Sequence, residues 1–135
     1  PEKLEQLVKE RYERYEQVKA NEQMAEEYLT EDADIVLVAY GASSRVARSA
    51  VNKAREKGIK AGLVRPITLW PFPTQALNRA ASHAKNFLVV EMSMGQMVDD
   101  VKLAIDCKVP VHFYGRTGGM IPTPAEVLEQ IEALL

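Results

Sequence analysis

The side chains able to do chemistry in this 135-residue sequence gather at four junctions, each of which follows an apolar run. They are Tyr40-Gly41-Ala42-Ser43-Ser44, Arg65-Pro66, Glu91-Met92-Ser93-Met94-Gly95-Gln96, and Tyr114 through Gly119. In the first, free helix N–H groups and the Ser43 and Ser44 hydroxyls can hold an anion, although a glycine after a strand also reads simply as a turn. The segment carries neither G-x-G-x-x-G nor the phosphate-loop pattern G-x-x-x-x-G-K-[ST]. Arg65 stands where a nicotinamide-binding sheet would carry an acid for the ribose, and with the glycines missing an NAD(P) domain is not expected. Glu91 is a carboxylate at a strand's carboxyl end, where burial would raise its pKa and suit it to proton transfer, or where it can face backbone N–H groups in a structural role. Arg116 with Gly118-Gly119 makes a cationic loop for phosphate or carboxylate, or only a turn.

Other reactive residue types do not assemble. His83 lies near a helix end and His112 alternates within a strand, with no reason to converge on a serine, so both read as packing or surface residues. Cys107 is the sole cysteine. It can make no internal disulfide and cannot supply the four thiolates of an ordinary iron–sulfur cluster, and two isolated histidines make no zinc site. It reads as an inert small hydrophobe. Met92, Met94 and Met97 read as packing under a loop or an interface patch. In Arg65 to Pro73, RPITLWPFP, three prolines stiffen the backbone while Leu69, Trp70 and Phe72 place large apolar surface on a connection; either a contact with another body or tucking over the domain's own sheet explains it.

The elements that must position these junctions follow from hydrophobic period. Pro1 to Asp34 holds eleven acids against five bases, whereas the remainder is mildly basic within a total net charge of −2. Within that acidic arm Leu4, Leu7, Val8, Tyr12, Tyr15 and Val18 recur at helical spacing, and the stripe needs a surface on this body or on another chain. From Ile35 the pattern alternates. Strands are expected at Ile35–Tyr40, Ile59–Arg65, Phe87–Glu91 and Val109–Tyr114. Helices are expected to start at Ser43 or Ser44 and end before Gly58, to run from Pro73 or Thr74 through Ala84, to start near Gln96, and to start at Thr123 as cap with Pro124 first and Glu126 completing a capping box. Short connections between alternating strands and helices imply a mostly parallel sheet covered on both faces, a three-layer α/β/α domain, and Glu26 to Thr30 is a candidate edge strand. Near-neutral charge gives no case for nucleic acid or an anionic membrane, no run is long enough to span one, and no leader opens the chain, so a cytoplasmic location is expected. Opening at Pro1 is read as a piece cut from a longer protein.

Taken in order, VAYGASSRVARSAV, GLVRPITLWPFP, FLVVEMSMGQMVDDV and FYGRTGGMIPTPAEVLE resemble the C-terminal domain of the α subunit of 2-oxoacid:ferredoxin oxidoreductases, nearest the 2-oxoglutarate and 2-oxoisovalerate types. The resemblance spans residues 33–135, with residues 1–32 as a helical arm or linker from a preceding domain. It implies a transketolase C-terminal-like fold, a five-stranded mixed sheet whose first strand is antiparallel. It also implies an enzyme that decarboxylates a 2-oxoacid with coenzyme A, yielding acyl-CoA and reduced ferredoxin through thiamine diphosphate, Mg²⁺ and iron–sulfur clusters. This chain lacks a GDG-type diphosphate motif, so those groups and the glutamate that activates thiamine are expected on other domains or subunits, and no residue here is expected to be catalytic. The implied role is assembly and shaping of the site, with the α subunit's N-terminal domain, the β subunit and, through the whole complex, ferredoxin as partners. Gly41, Ser43, Ser44, Arg65, Pro66, Trp70, Glu91, Gly95, Gln96, Arg116, Gly118 and Gly119 are the binding or interface candidates. An isolated fragment could self-associate through the arm's stripe. The competing reading is a stand-alone regulatory module holding a phosphorylated small molecule at Gly41 to Ser44 and the GRTGG loop.

Overall fold

The computed structural model describes residues 24–67, 72–92, 96–115 and 122–135. The amphipathic arm and the segments holding Leu69, Trp70, Met94, Gly95, Arg116, Gly118 and Gly119 lie outside the described residues. In chain order the elements are β1 (Ala25–Tyr28), β2 (Ile35–Val38), α1 (Ala42–Glu56), β3 (Ala61–Pro66), α2 (Thr74–Ala81), β4 (Asn86–Glu91), α3 (Gln96–Ala104), β5 (Val111–Gly115) and α4 (Pro124–Ala133). One five-stranded sheet has the order β1-β3-β2-β4-β5. β1 runs antiparallel to β3, and the other neighbours are parallel.

Because side chains alternate across a strand, β2 feeds two separate cores. Val36 and Val38 join Leu77, Phe87, Val101 and Ile105 beneath α2 and α3. Ile35 and Leu37 join Ala47, Val51, Leu63, Val127 and Ile131 beneath α1 and α4. Both sheet faces are thus covered, which is why β2 is buried at every position and reads as a continuous apolar run. Each fully buried large side chain contributes about 1.5–3 kcal/mol relative to exposure. The three-layer α/β/α expectation holds.

Several boundaries differ from the sequence reading, each for a local reason. β2 stops at Val38, two residues before the end of its apolar run, and Tyr40 is 38% exposed. α1 is capped by Gly41, φ 61, with no side-chain cap, so neither Ser43 nor Ser44 is the cap. Gly41 makes the left-handed turn out of β2 that a side chain would strain. Both serines are therefore already helical and buried, and Ser44 Oγ donates back to the Gly41 carbonyl at 2.6 Å. β3 begins at Ala61 because the Ile59 N–H still closes the end of α1 on the Ala54 carbonyl, and it runs one residue past Arg65 to Pro66. α2 ends at Ala81, short of Ala84, because Ser82 Oγ donates to the Arg79 carbonyl and closes the last turn. β5 starts after Pro110, which has no N–H for the ladder. At α4, Thr123 accepts the Glu126 N–H and Pro124 opens the helix, as expected.

The edge strand is Ala25–Tyr28 rather than Glu26–Thr30, because Leu29 turns left-handed at φ 55. An acidic stretch forms a strand here because alternation sends its two glutamates to opposite faces, where each meets arginine. Glu26 sits opposite Arg65 in register and binds it at 2.8 Å, with Arg48 of α1 at 2.7 Å. Glu27 meets Arg79 of α2 at 3.0 Å. Arg48 also stacks over the Tyr28 ring, 4.1 Å from its centroid. The exit from β1 is pinned by Arg55, which donates to the Leu29 and Ala61 carbonyls and to both Asp32 oxygens.

Candidate functional site

β2 is followed by a crossover to β3 on one side, and β4 lies on its other side, so the strand order reverses at the carboxyl ends of β2 and β4. Open parallel sheets bind ligands at that point. A cleft of about 250 Å³ opens there, lined by Tyr40, Gly41, Ala42, Ser43, Glu91 and Met92. The sequence candidates Gly41, Ser43 and Glu91 are therefore brought together, although fifty residues separate the first from the last. Glu91 is 2% exposed. Its Oε1 accepts the Met97 N–H at 2.9 Å, so the carboxylate spans from the end of β4 to the first turn of α3. A carboxylate at a helix N-terminus is favoured by both the donor and the helix dipole. Gln96 opens α3.

A second cleft of about 590 Å³ lies beside the first and shares Gly41 and Ala42 with it. Arg65 enters from β3, Arg45 and Arg48 from α1, and Glu26 from β1. The Arg65 guanidinium, followed by that of Arg48, holds the Glu26 carboxyl below its ordinary value of 4.5. Arg45 and Arg48 were not singled out in the sequence. Their signal was available: both stand within the first two turns of a helix that has no acid in its first turn. Pro66 ends β3 and pairs in register with Ala25.

The same end of the sheet carries a row of exposed apolar side chains. Met24 precedes antiparallel β1, while Tyr40, Ile67 and Met92 follow β2, β3 and β4. The Ile67 N–H donates to the Met24 carbonyl at 2.9 Å. The RPITLWPFP segment therefore divides: Ile67 is 51% exposed, whereas Phe72 packs on the core beneath α2 and α3. The three methionines divide too, Met97 being core and Met92 exposed.

At the opposite end of the sheet a cleft of about 760 Å³ is lined by Thr30, Asp32, Arg79, Ser82 and His83 among others. Ser82 Oγ lies 3.3 Å from His83 Nδ1, a proximity unforeseen from sequence, but it does not make a nucleophile. The Ser82 proton goes to the Arg79 carbonyl, and His83 Nε2 lies 2.7 Å from the Thr30 carbonyl, an acceptor that requires the proton on Nε2. The pair ties the end of α2 to the exit of β1. His112 Nε2 lies 3.1 Å from Asn86 Oδ1. Cys107, read from the sequence as an inert small hydrophobe, is exposed, because the chain turns left-handed at Asp106 and Cys107 after α3. Among the described residues no cluster of His, Cys, Asp and Glu is arranged to hold a metal ion, and no helix is long and apolar enough to cross a membrane.

The fold and sequence have known counterparts. The solved 2-oxoglutarate:ferredoxin oxidoreductase from Magnetococcus marinus, with 2-oxoglutarate, coenzyme A and succinyl-CoA bound, superposes with TM-score 0.77 over 98% of this chain and 23% of that one, at 20% identity. A split-gene transketolase, an inactive β4 tetramer, superposes with TM-score 0.68 over 82% of this chain and 40% of that one, also at 20% identity. These likenesses give the fold, and it is the transketolase-like one the resemblance implied. Ketoisovalerate oxidoreductase subunit VorB from Methanothermobacter marburgensis is 49% identical over 122 residues, which make 90% of this chain. The chain spans about a third of the length of that relative, 34%. Residues 33–127 match the family model for pyruvate:ferredoxin oxidoreductase core domain II, and with the sheet order and the VorB likeness in agreement, this chain belongs to that family.

Proposed function

We propose that this chain is the C-terminal α/β domain of the α subunit of a 2-oxoacid:ferredoxin oxidoreductase, contributing assembly and site shape rather than catalytic groups. The observation that carries the proposal is the 49% identity with VorB over nearly the whole chain but only a third of that subunit. A domain of this size is a part of the enzyme and not its entirety. The activity of the whole is the coenzyme A-dependent oxidative decarboxylation of a 2-oxoacid to an acyl-CoA with reduction of ferredoxin, in the cytoplasm.

Thiamine diphosphate, Mg²⁺ and the iron–sulfur clusters belong to other domains and subunits. A single cysteine cannot ligate a four-thiolate cluster, and Glu91, the buried carboxylate of the central cleft, is engaged with the Met97 N–H. The folded body takes in β1, Ala25–Tyr28, so the connection to a preceding domain lies before that strand and does not extend to residue 32. The row of Met24, Tyr40, Ile67 and Met92 at the sheet's carboxyl end supports a contact there with the rest of the α subunit and with the β subunit. Arg65, Pro66 and Gly41 flank that row.

The test is reconstitution. This chain is co-purified with the separately expressed remainder of the α subunit and the β subunit, and 2-oxoacid-dependent ferredoxin reduction is measured. Activity only in the mixture, lost when Ile67 and Met92 are both replaced by Asp, supports the assembly role. Turnover by this chain alone, or no complex with either partner, refutes it.

A further inference from the structure

We propose that the cleft between β1, β3 and the N-terminus of α1 is a binding site for a phosphate monoester dianion or free phosphate, gripped by Arg45, Arg48 and Arg65 and closed in its absence by Glu26. Charge carries the first step. Three guanidiniums and one carboxylate line a space of about 590 Å³, a net charge of +2 in which Glu26 is shared by Arg48 and Arg65 and Arg45 has no acidic partner. A phosphate monoester carries about −1.5 to −2 at neutral pH, which matches that excess; a single carboxylate does not.

Arg45 carries the second step. It stands on the first turns of a 15-residue helix, where the aligned peptide dipoles already present positive charge, and no acid lies in the first turn to offset it. Among the described residues Arg45 makes no ion pair. A cation placed against the helix dipole and left unpaired breaks the rule that stabilises helix ends, and such breaks mark sites where a ligand completes the arrangement. The helix is also capped by Gly41 without any side-chain acceptor, and open space surrounds the position a Gly41 side chain would take. No side chain therefore crowds the approach of an oxyanion to the Gly41 backbone.

Glu26 supplies the third. It binds Arg48 through Oε1 at 2.7 Å and Arg65 through Oε2 at 2.8 Å, so one carboxylate holds two arginines with one oxygen each. Both arginines remain substantially exposed, at 49% and 39%. That geometry lets Glu26 act as an internal occupant: it keeps the two guanidiniums oriented and competes with the incoming dianion. The site does not depend on the enzyme assignment above, since its parts all lie in this chain.

The experiment is an amide and arginine Nε chemical-shift titration of this chain at constant ionic strength with inorganic phosphate, methyl phosphate and dimethyl phosphate, chloride being the reference. Saturable shifts confined to Gly41 through Arg45 and the side chains of Arg48 and Arg65 are expected with inorganic phosphate or methyl phosphate. The tighter of these two identifies free ion or ester as the occupant, and dimethyl phosphate, a monoanion of similar shape, should bind at least tenfold more weakly. Arg45→Gln, which removes no contact of the fold, should weaken binding at least tenfold, and Glu26→Gln should strengthen it severalfold. No saturable shift, equal binding of dimethyl phosphate, or unchanged affinity in Arg45→Gln overturns the proposal.

Discussion

Glu91 accepts the backbone N–H of Met97 at 2.9 Å, joining the carboxyl end of the interior strand β4 to the first turn of α3 across the junction that separates them. The bond is buried, so replacing Glu91 leaves a helix N–H without its acceptor in a site closed to water. Glu91→Ala should lower the unfolding free energy by about 2–3 kcal/mol. Glu91→Gln, which keeps a carbonyl oxygen of the same reach, should recover most of that loss. Urea unfolding followed by circular dichroism reads both.

Two carboxylates held by arginines predict an acid limb in stability. The Arg65 and Arg48 guanidiniums lower the Glu26 pKa, and Arg55 lowers that of Asp32. A carboxyl more acidic folded than unfolded stabilises the fold above its ordinary value, 4.5 for Glu26 and 3.8 for Asp32, and the contribution is lost as pH falls through the folded value. Urea midpoints measured from pH 7 down to pH 3 should therefore decline at the acid end. The double variant Glu26→Gln and Asp32→Asn should start lower at pH 7 and decline less steeply.

Two glycines should fail differently when given a methyl group. A Cβ on Gly62 would lie 2.7 Å from the Leu29 carbonyl oxygen, backbone that Arg55 holds in place, so Gly62→Ala should cost about 1–3 kcal/mol through overpacking. Gly41 has open space but φ 61, so Gly41→Ala should cost about 1–2 kcal/mol through backbone conformation alone. Removing the Arg55 side chain should relieve the first and leave the second unchanged, a double-mutant comparison that separates crowding from conformation.

Cys107, exposed and the sole cysteine, should react with a thiol reagent in the native state without denaturant, one equivalent per chain. Modification should leave the far-ultraviolet spectrum and the urea midpoint unchanged. Protection that disappears only in denaturant would show that the turn after α3 is closed in solution.

The body's alternation was legible because its signals are local. Val36 and Val38 against Ile35 and Leu37 declare a strand buried on both faces, and Thr123-Pro124-Ala125-Glu126 declares a helix start, whatever the rest of the chain does. The acidic edge strand was harder to read, since nothing in Ala25-Glu26-Glu27-Tyr28 promises a strand until Arg48, Arg65 and Arg79 are known to stand around it. The α1 cap departs from the sequence expectation for a related reason: serines are good caps in general, but the turn out of β2 takes positive φ, which Gly41 adopts without strain.

Of the candidate site, sequence identified Gly41, Ser43, Ser44, Arg65 and Glu91 as residues at strand ends, because the carboxyl ends of parallel strands are where ligands bind whatever the family. It could not say that Gly41 and Glu91 line one cleft, or that Arg65 shares Glu26 with Arg48. Those relations depend on strand order, and strand order is decided by which crossover goes left and which goes right, a choice made by packing of both cores at once. Composition, period and caps fixed what each segment would become. Only the tertiary structure set β2 between β3 and β4, put arginines on both faces of β1 to meet Glu26 and Glu27, and brought three arginines from two elements around one carboxylate.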